Sequence, residues 1–390
     1  MRRSAIVYIA LSCAMWAMPL LGRAEVSYQV TVIGPANSAA YDINRSGQIA
    51  GNLHDGSGFS RAFFYDGTTV QDMGTLPGDG YSTAGGLNDS GTVVGTSGPS
   101  GGPGLRHGFM YANGVLAPIA SAPESIATAI NNAGVAVGMA LITNNYDPEG
   151  SLARHAVAFL NGWSGDLTNG IGFPGTVSEA NDINEQGHAV GTVHDDYNFG
   201  VPLAFMYREG ALLYLPMGAD WYGVASAINS HDQVAGHSYG MLENGSADLT
   251  RMHAALYEDG VARDLGAMDA GGNSSAWDIN DAGHVVGWTD TLAGASAFVY
   301  MHGEMVLLDS LIDPASGWTI QDARAINAED QIAATACRAG ICQAVRLDPL
   351  TAVPEPAQWG MWGAGVLLLL GRRGGTAGRH RGTSPAGPTA

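Results

Sequence analysis

Ala40-Tyr41-Asp42-Ile43-Asn44-Arg45-Ser46-Gly47-Gln48-Ile49-Ala50-Gly51 decides the architecture, because the chain repeats its pattern seven times. The form is Ala-x-x-(Ile/Leu)-Asn, with the asparagine at Asn44, Asn88, Asn131, Asn184, Asn229, Asn280 and Asn327. An alanine stands four residues before each one, and the spacings are 44, 43, 53, 45, 51 and 47. Internal repetition at this period marks a solenoid, a propeller or an array. Asn suits the first position of a type I turn, where its side chain caps the backbone two residues on. A glycine then takes the left-handed position that returns the chain as a hairpin. Gly47, Gly91, Gly134, Gly187 and Gly283 fill that place, while copies five and seven carry Asp232 and Asp330, and Asp tolerates the conformation better than most residues.

Outward from the turn, each copy continues with a short apolar strand such as Val93-Val94-Gly95. A second motif follows, a small residue and then an aromatic, as in Ala62-Phe63-Phe64-Tyr65, Gly108-Phe109-Met110-Tyr111 and Ala204-Phe205-Met206-Tyr207. In six copies a turn glycine and a last strand ending in an aliphatic residue complete the unit. Four short strands in about 47 residues, with no helical periodicity between them, are the mark of a β-propeller blade. The seventh copy stops at Arg346-Leu347-Asp348-Pro349 without a fourth strand, whereas Val26 to Ile33 at the other end belongs to no copy. Lending that strand to the last blade closes the ring and removes two sheet edges at once. The expected fold is therefore an all-β, seven-bladed propeller over residues 25–352; the alternative is another β-repeat solenoid, such as a parallel β-helix.

The copies resemble the extracellular HAF repeats, named for His-Ala-Phe. The chain keeps that triplet in part, as His107-Gly108-Phe109, His155-Ala156-Val157 and His253-Ala254-Ala255, and puts Arg61, Leu203, Ser296 and Gln343 at the His position elsewhere. The resemblance spans residues 26 to 348. It implies an exported repeat protein of propeller-like fold and brings no established reaction.

The two ends carry addresses. Residues 1–24 read as a secretory signal peptide: Arg2 and Arg3, an uncharged run from Ala5 to Leu21, and a small-x-small cleavage site at Gly22-Arg23-Ala24. Residues 353–373 hold Pro354-Glu355-Pro356, an uncharged stretch and then Arg372-Arg373, an order that resembles the PEP-CTERM sorting signal. The prolines break the preceding structure, the apolar stretch enters the bilayer, and the arginines stay cytoplasmic. The resemblance implies processing by signal peptidase and an exosortase, transient inner-membrane association, and display on the surface or in the matrix of a Gram-negative bacterium that makes exopolysaccharide. Residues 374–390 form a tail, expected to be disordered, longer than such signals usually carry.

Composition narrows the partners. Between Glu25 and Val353 there are 10 Arg, no Lys, and 35 Asp and Glu, a net charge of −25. Nucleic acid and anionic lipid surfaces are excluded, since phosphate contacts need clustered positive charge. Cys337 and Cys342, the only cysteines beyond the signal, fall in the connection between the second and third strands of the last blade. A hairpin brings such residues into cross-strand register, and an oxidising compartment then favours a disulfide.

Candidate chemistry is sparse. Asp42, Asp182 and Asp278 occupy the position two before the repeat Asn, and carboxylates lining a channel suit Ca²⁺. The simpler reading, adopted here, is that each bonds a neighbouring hairpin or stays solvated, so no metal or cofactor is assigned. His107, His155 and His253 sit at equivalent places in separate blades, which argues against a shared metal. Rim aromatics such as Trp163, Trp221, Trp277, Trp288 and Trp318 suit either sugar stacking or blade packing. The chain holds no HExxH, Walker loop or sialidase-type Asp box, and no G-x-S-x-G turn leading into a helical pattern, as a nucleophile elbow requires. The expected function is a non-catalytic surface propeller that binds exopolysaccharide or a surface protein. An extracellular hydrolase or lyase acting on polysaccharide is the alternative, its chemistry then sought in the insertions Met139–Arg154 and His237–His253 and the Asp195-Asp196 loop.

Overall fold

Small residues facing a turn and β-branched or aromatic residues between turns build strands, and the computed structural model has them in the expected number. It describes residues 26–350 except 55, 57–58, 101–103, 144–151, 169–176, 195–200, 218–221 and 244–246. The signal peptide, the sorting signal, the tail, Trp221 and the Asp195-Asp196 loop lie outside the described residues. Among those described, seven four-stranded antiparallel sheets follow one another along the chain. Blade one is typical: Ser38–Ile43, Ile49–His54, Ser60–Tyr65 and Val70–Gly74, each strand paired with the next. The first strands of successive blades touch all the way round, and that of blade seven (Thr319–Ile326) touches that of blade one. They therefore line a central channel, with the fourth strands outermost. Two short 3₁₀ turns, Leu308–Leu311 and Pro314–Ser316, interrupt the strand pattern in the passage from blade six to blade seven.

The ring closes with the N-terminal strand. Ser27–Val32 lies antiparallel to Ile341–Leu350 as the outer strand of blade seven, with Ser27 opposite Leu350 and Val32 opposite Val345. Ile33 and Gly34 prolong the pairing by donating their N–H groups to the Ala344 carbonyl. Cys337 and Cys342 face each other across the adjoining hairpin, are disulfide-bonded, and have Cα atoms 3.9 Å apart. The Cys342 carbonyl also accepts from the Asn37 N–H, so the clasped hairpin rests on the segment that leads from the closing strand into blade one.

Packing within four of the blades rests on a pairing of glycine with the aromatic of the second motif. Gly51, Gly95, Gly191 and Gly287 stand opposite Phe63, Phe109, Phe205 and Phe298, all four rings fully buried. A Cβ on Gly95 would meet the Thr83 carbonyl oxygen and stand 2.7 Å from the Phe109 ring. The glycine is thus required by close approach, since the first strand bulges toward it between Ala84 and Gly86. Blade seven alone has alanine here, Ala334, opposite Val345, and its first strand carries a second register shift at Ile320/Asp322. Gly95→Ala is expected to destabilise the protein by about 1–3 kcal/mol through overpacking. Ala334→Gly should cost no more than about 1 kcal/mol, from backbone entropy. Urea titrations of the two variants check the order; equal losses would contradict the close-approach account.

Candidate functional site

Each repeat asparagine turns out to do two jobs. Its Oδ1 accepts the backbone N–H four residues on and, in all but Asn131, the one two residues on, as Asn44 does from Gln48 and Ser46, which fixes the hairpin turn. Its Nδ2 then donates to the backbone carbonyl of the asparagine in the following blade. Asn44 reaches Asn88, then Asn131, Asn184, Asn229, Asn280 and Asn327 follow in order, and Asn327 returns to Asn44, every link 3.0–3.2 Å. All seven residues are buried. The turn reading was right about the cap and silent about the belt, because a donor's target 44 residues away leaves no local signal.

Outside the belt lies the mouth of the channel, a pocket of about 380 Å³ lined by residues of every blade. Here the residue after the asparagine is tied to its counterpart in the next blade at four of the seven steps. The Arg45 N–H donates to Asp89, the Asp89 N–H to Asn132, the Asn132 N–H to Glu185 and the Ser230 N–H to Asp281. The mouth is thus acidic.

The left-handed positions in copies five and seven explain themselves in the same frame. Asp232 and Asp330 have φ of 60° and 59°. Asp232 accepts from the His188 and Asn184 of blade four, and Asp330 from the His284 and Asn280 of blade six, at 2.7–3.0 Å. Burial works to raise both carboxyls, but the histidine bond and charge outweigh it and hold them below the usual range. A histidine four residues after one asparagine is therefore matched to an aspartate three after the next.

One step above the asparagines stand Asp42, Asp182 and Asp278. Each uses one carboxylate oxygen to accept the N–H of the next residue in its own strand. The other accepts an N–H of the following blade, from Leu87, Ile228 and Ile326 respectively, at 2.6–2.8 Å. They clamp neighbouring blades rather than the hairpins alone. Among the described residues no group of three or more His, Cys, Asp or Glu could hold a metal ion. Every aspartate is followed around the ring by a small residue, Gly86, Ala227 or Ala325. Seven positions cannot alternate perfectly, and the one small–small step falls between Gly86 and Ala129. There the backbones close up: a Cβ on Gly86 would stand 2.7 Å from the Ala129 Cα.

The histidines of the partial His-Ala-Phe triplets are tied to aspartates. His155 bonds Asp166 at 3.0 Å and His253 bonds Asp264 at 3.0 Å, each eleven residues on, while His107 bonds Asp79 at 3.3 Å. Arg61, the departure in blade one, pairs with Asp72 at the same separation of eleven, at 2.8 Å. In each eleven-residue pair the aspartate also caps the end of the fourth strand, accepting from the N–H of Gly74, Thr168 or Gly266. These positions serve strand ends, and none of these histidines joins a shared site. Opposite the turn face, Glu124 is buried between Arg106 and Arg154, at 3.1 and 2.9 Å, and links blades two and three. Ser275 and His237 form a hydroxyl–imidazole pair at 2.9 Å, with Tyr239 on the other ring nitrogen at 3.1 Å. Both Ser275 and His237 are buried, and burial pushes the imidazole down to about 4, so this pair is a packing element.

The two long insertions form extended hairpins, Ala136–Thr143 with Leu152–Leu160 and Val234–Met241 with Ala247–Glu258. Connections between second and third strands leave the ring on the face opposite the asparagine turns, so both project from one side. Leu152, Met241, Leu242 and Leu249 are exposed on them.

The chain is a seven-bladed β-propeller. No protein-family profile and no curated protein matches it. Among solved structures it is similar to the β-propeller domain of the Trilobed protease from Pyrococcus furiosus, described as having an open velcro topology. That likeness has a TM-score of 0.50 at 7% identity, over 82% of this chain and 99% of that one. It is also similar to an acylaminoacyl peptidase from Pyrococcus horikoshii, at a TM-score of 0.46 and 11% identity, over 82% of this chain and 52% of that one. At such identities the likeness is one of fold.

The inter-blade carboxylates make a pH prediction. Burial, joined for Asp42 and Asp182 by repulsion from Asp278, outweighs the backbone bonds; Asp42 is raised to about 7, Asp278 to about 6 and Asp182 well above the usual range. Groups that bind protons more tightly folded than unfolded stabilise at low pH and lose that contribution as pH rises through the folded value. Melting temperature is expected to fall between about pH 4.5 and 8, and Asp278→Asn should flatten that slope whatever its offset. Below about pH 4 the depressed Asp166, Asp232 and Asp330 reverse the trend. A wild-type melting temperature rising steadily from 4.5 to 8 would contradict this reading.

Proposed function

We propose that the chain is an exported propeller held at the cell surface or in the extracellular matrix, where it binds glycan or protein partners without catalysis. The observation that carries the reading is the pairing of a signal-peptide pattern at residues 1–24 with the Pro354-Glu355-Pro356, apolar stretch and Arg372-Arg373 order at the other end. The HAF-like repeats between them point the same way. No helix among the described residues is long and apolar enough to cross a membrane.

Supporting the binding role over catalysis is the use already made of the polar side chains. The aspartates of the channel hold backbone N–H groups, the three triplet histidines hold aspartates, and the Ser275–His237 pair is buried. Two projecting hairpins with exposed apolar residues, on one face of a rigid ring, suit the capture of an extended partner. The acidic surface disfavours anionic polymers except where a local site offsets the charge.

The experiment combines location with binding. Fractionation of the producing bacterium should find the chain outside the inner membrane, without residues 1–24. The same material, applied to a glycan array beside a polysaccharide-hydrolysis screen, should bind at least one glycan class and degrade none. Cytoplasmic protein with Met1 retained would overturn the export reading, and turnover of any polysaccharide would replace binding by the hydrolase or lyase alternative.

A further inference from the structure

Blades two and three leave a cleft of about 560 Å³ between them on the turn face. It runs between their outer hairpins, His107–Ala112 with Val115–Pro118 and Leu152–Leu160 with Trp163–Asp166. Ile119, Ile130 and Phe159 are its buried part, while Val115 and Leu160 are exposed, one from each blade. At its inner end the cleft adjoins the channel mouth through Asn88 and Asn132.

The other six junctions are bridged or packed on this face. Between blades seven and one, Arg346 donates to the Gly47 carbonyl at 2.9 Å. His188 meets Asp232 and His284 meets Asp330, each at 2.7 Å. A Cβ on Gly283 would stand 3.5 Å from the Gln233 side chain, and Val135 packs with Tyr207 and Leu212 against the core between blades three and four. Between blades one and two, Gln71 accepts from the Tyr111 hydroxyl at 3.2 Å. The next step lacks these parts. Ala117 pairs with Met110 as Gln71 pairs with Phe64, and has no amide to offer. Phe159 holds the place of Tyr111 opposite the start of the second strand, without the hydroxyl. Thr92 stands where five other blades carry Gln or His, and a Cβ on Gly134 would meet nothing within 4 Å.

The walls decide what the cleft can hold. No charged residue lines it, in a body with a large excess of acids. A charged group placed there would lose hydration and gain no partner. The polar side chains at the inner end are engaged with one another. Ser90 bonds Asn88 at 2.7 Å and Thr92 at 3.1 Å, and Asn132 donates to Asp89 at 2.9 Å. A pyranose therefore finds these groups taken, and no exposed ring face to stack on, since Phe159 is buried in the apolar cluster below. An aliphatic or aromatic side chain gains by leaving water for such walls. The volume falls within the range of about 300–1,000 Å³ usual for ligand sites, and the exposed Val115 and Leu160 extend the apolar surface past one side chain.

We propose that this cleft is the docking site for an uncharged, extended segment of a protein partner, with a leucine or phenylalanine side chain seated between Met110, Ala117 and Phe159. Val115 and Leu160 then cover the residues on either side of it. This names the partner class within the binding reading above and rests on that reading.

The test uses the purified chain and blocked pentapeptides, acetyl-Ser-Gly-X-Gly-Ser-amide, with Leu, Phe, Lys or Asp as X. Binding is read by saturation-transfer NMR and by movement of the Met110 methyl signal, assigned through Met110→Leu. A filled variant, Ala117→Gln with Phe159→Tyr, installs the pair that blades one and two already use, and a melting curve verifies its fold. The Leu or Phe peptide should bind at least tenfold more tightly than the Lys and Asp peptides and move the Met110 signal. The filled variant should weaken that binding tenfold or more. Leu160→Asp, an exposed change at the edge of the cleft, carries the same expectation should the filled variant unfold. No binding of either apolar peptide, a preference for Lys or Asp, or undiminished binding to the folded variants would overturn the site. The glycan array and hydrolysis screen separate this site from the broader reading. Glycan capture lost in the folded filled variant, without peptide binding, overturns the peptide assignment in favour of a glycan. Peptide binding alongside polysaccharide turnover supports the cleft and removes the non-catalytic reading.

Discussion

The structure depends on a hydrogen bond that asparagine makes beyond its own turn. A propeller blade has no covalent tie to any blade but its neighbours in sequence, and its sheet hydrogen bonds are all internal. What joins blades is apolar packing between sheets, which is nearly indifferent to small rotations. A buried amide that must donate to one particular carbonyl is not indifferent, because an unpaired Nδ2 in that position costs about 1–3 kcal/mol. Seven such bonds in a closed circuit set the angle between blades and, with the inner strands fixed, set the number of blades that fit.

The aspartates one step above the belt share that task at a different cost. Each brings a carboxyl into a partly buried ring near its like, and the cost appears as raised proton affinity rather than as a missing bond. Alternation with Gly86, Ala227 and Ala325 gives each carboxylate room to reach the following blade. An odd ring leaves one step without an aspartate, and glycine lets the backbones of blades two and three meet there instead. Small residues inside the channel are thus placed by geometry.

Much of the fold was legible along the chain. Asn-x-x-Gly, the small residue closing the second strand and the aromatic motif are local signals, each requiring only a turn or a pleat, and they yield seven blades of four strands. Closure by Ser27–Val32 followed from counting strands, and the facing of Cys337 and Cys342 from hairpin register. What could not be read depends on residues about 45 apart in sequence and adjacent in space. The donor half of each asparagine, the matching of His188 with Asp232 and of His284 with Asp330, and the reach of Asp42 to Leu87 are of this kind. Arg61 is instructive: it departs from the triplet, yet it meets Asp72 as His155 meets Asp166.

Amide hydrogen exchange on Asn131→Ala measures the belt most directly. The substitution removes one link, from Asn131 to the Asn184 carbonyl, and the turn bond to the Val135 N–H, in a blade distant from the closing strand. If the belt holds the ring as a unit, protection of first-strand amides should fall together in all seven blades, by a similar factor in each. Loss confined to the turns and first strands of blades two to four, with blades six, seven and one as protected as in the unaltered chain, would contradict the account.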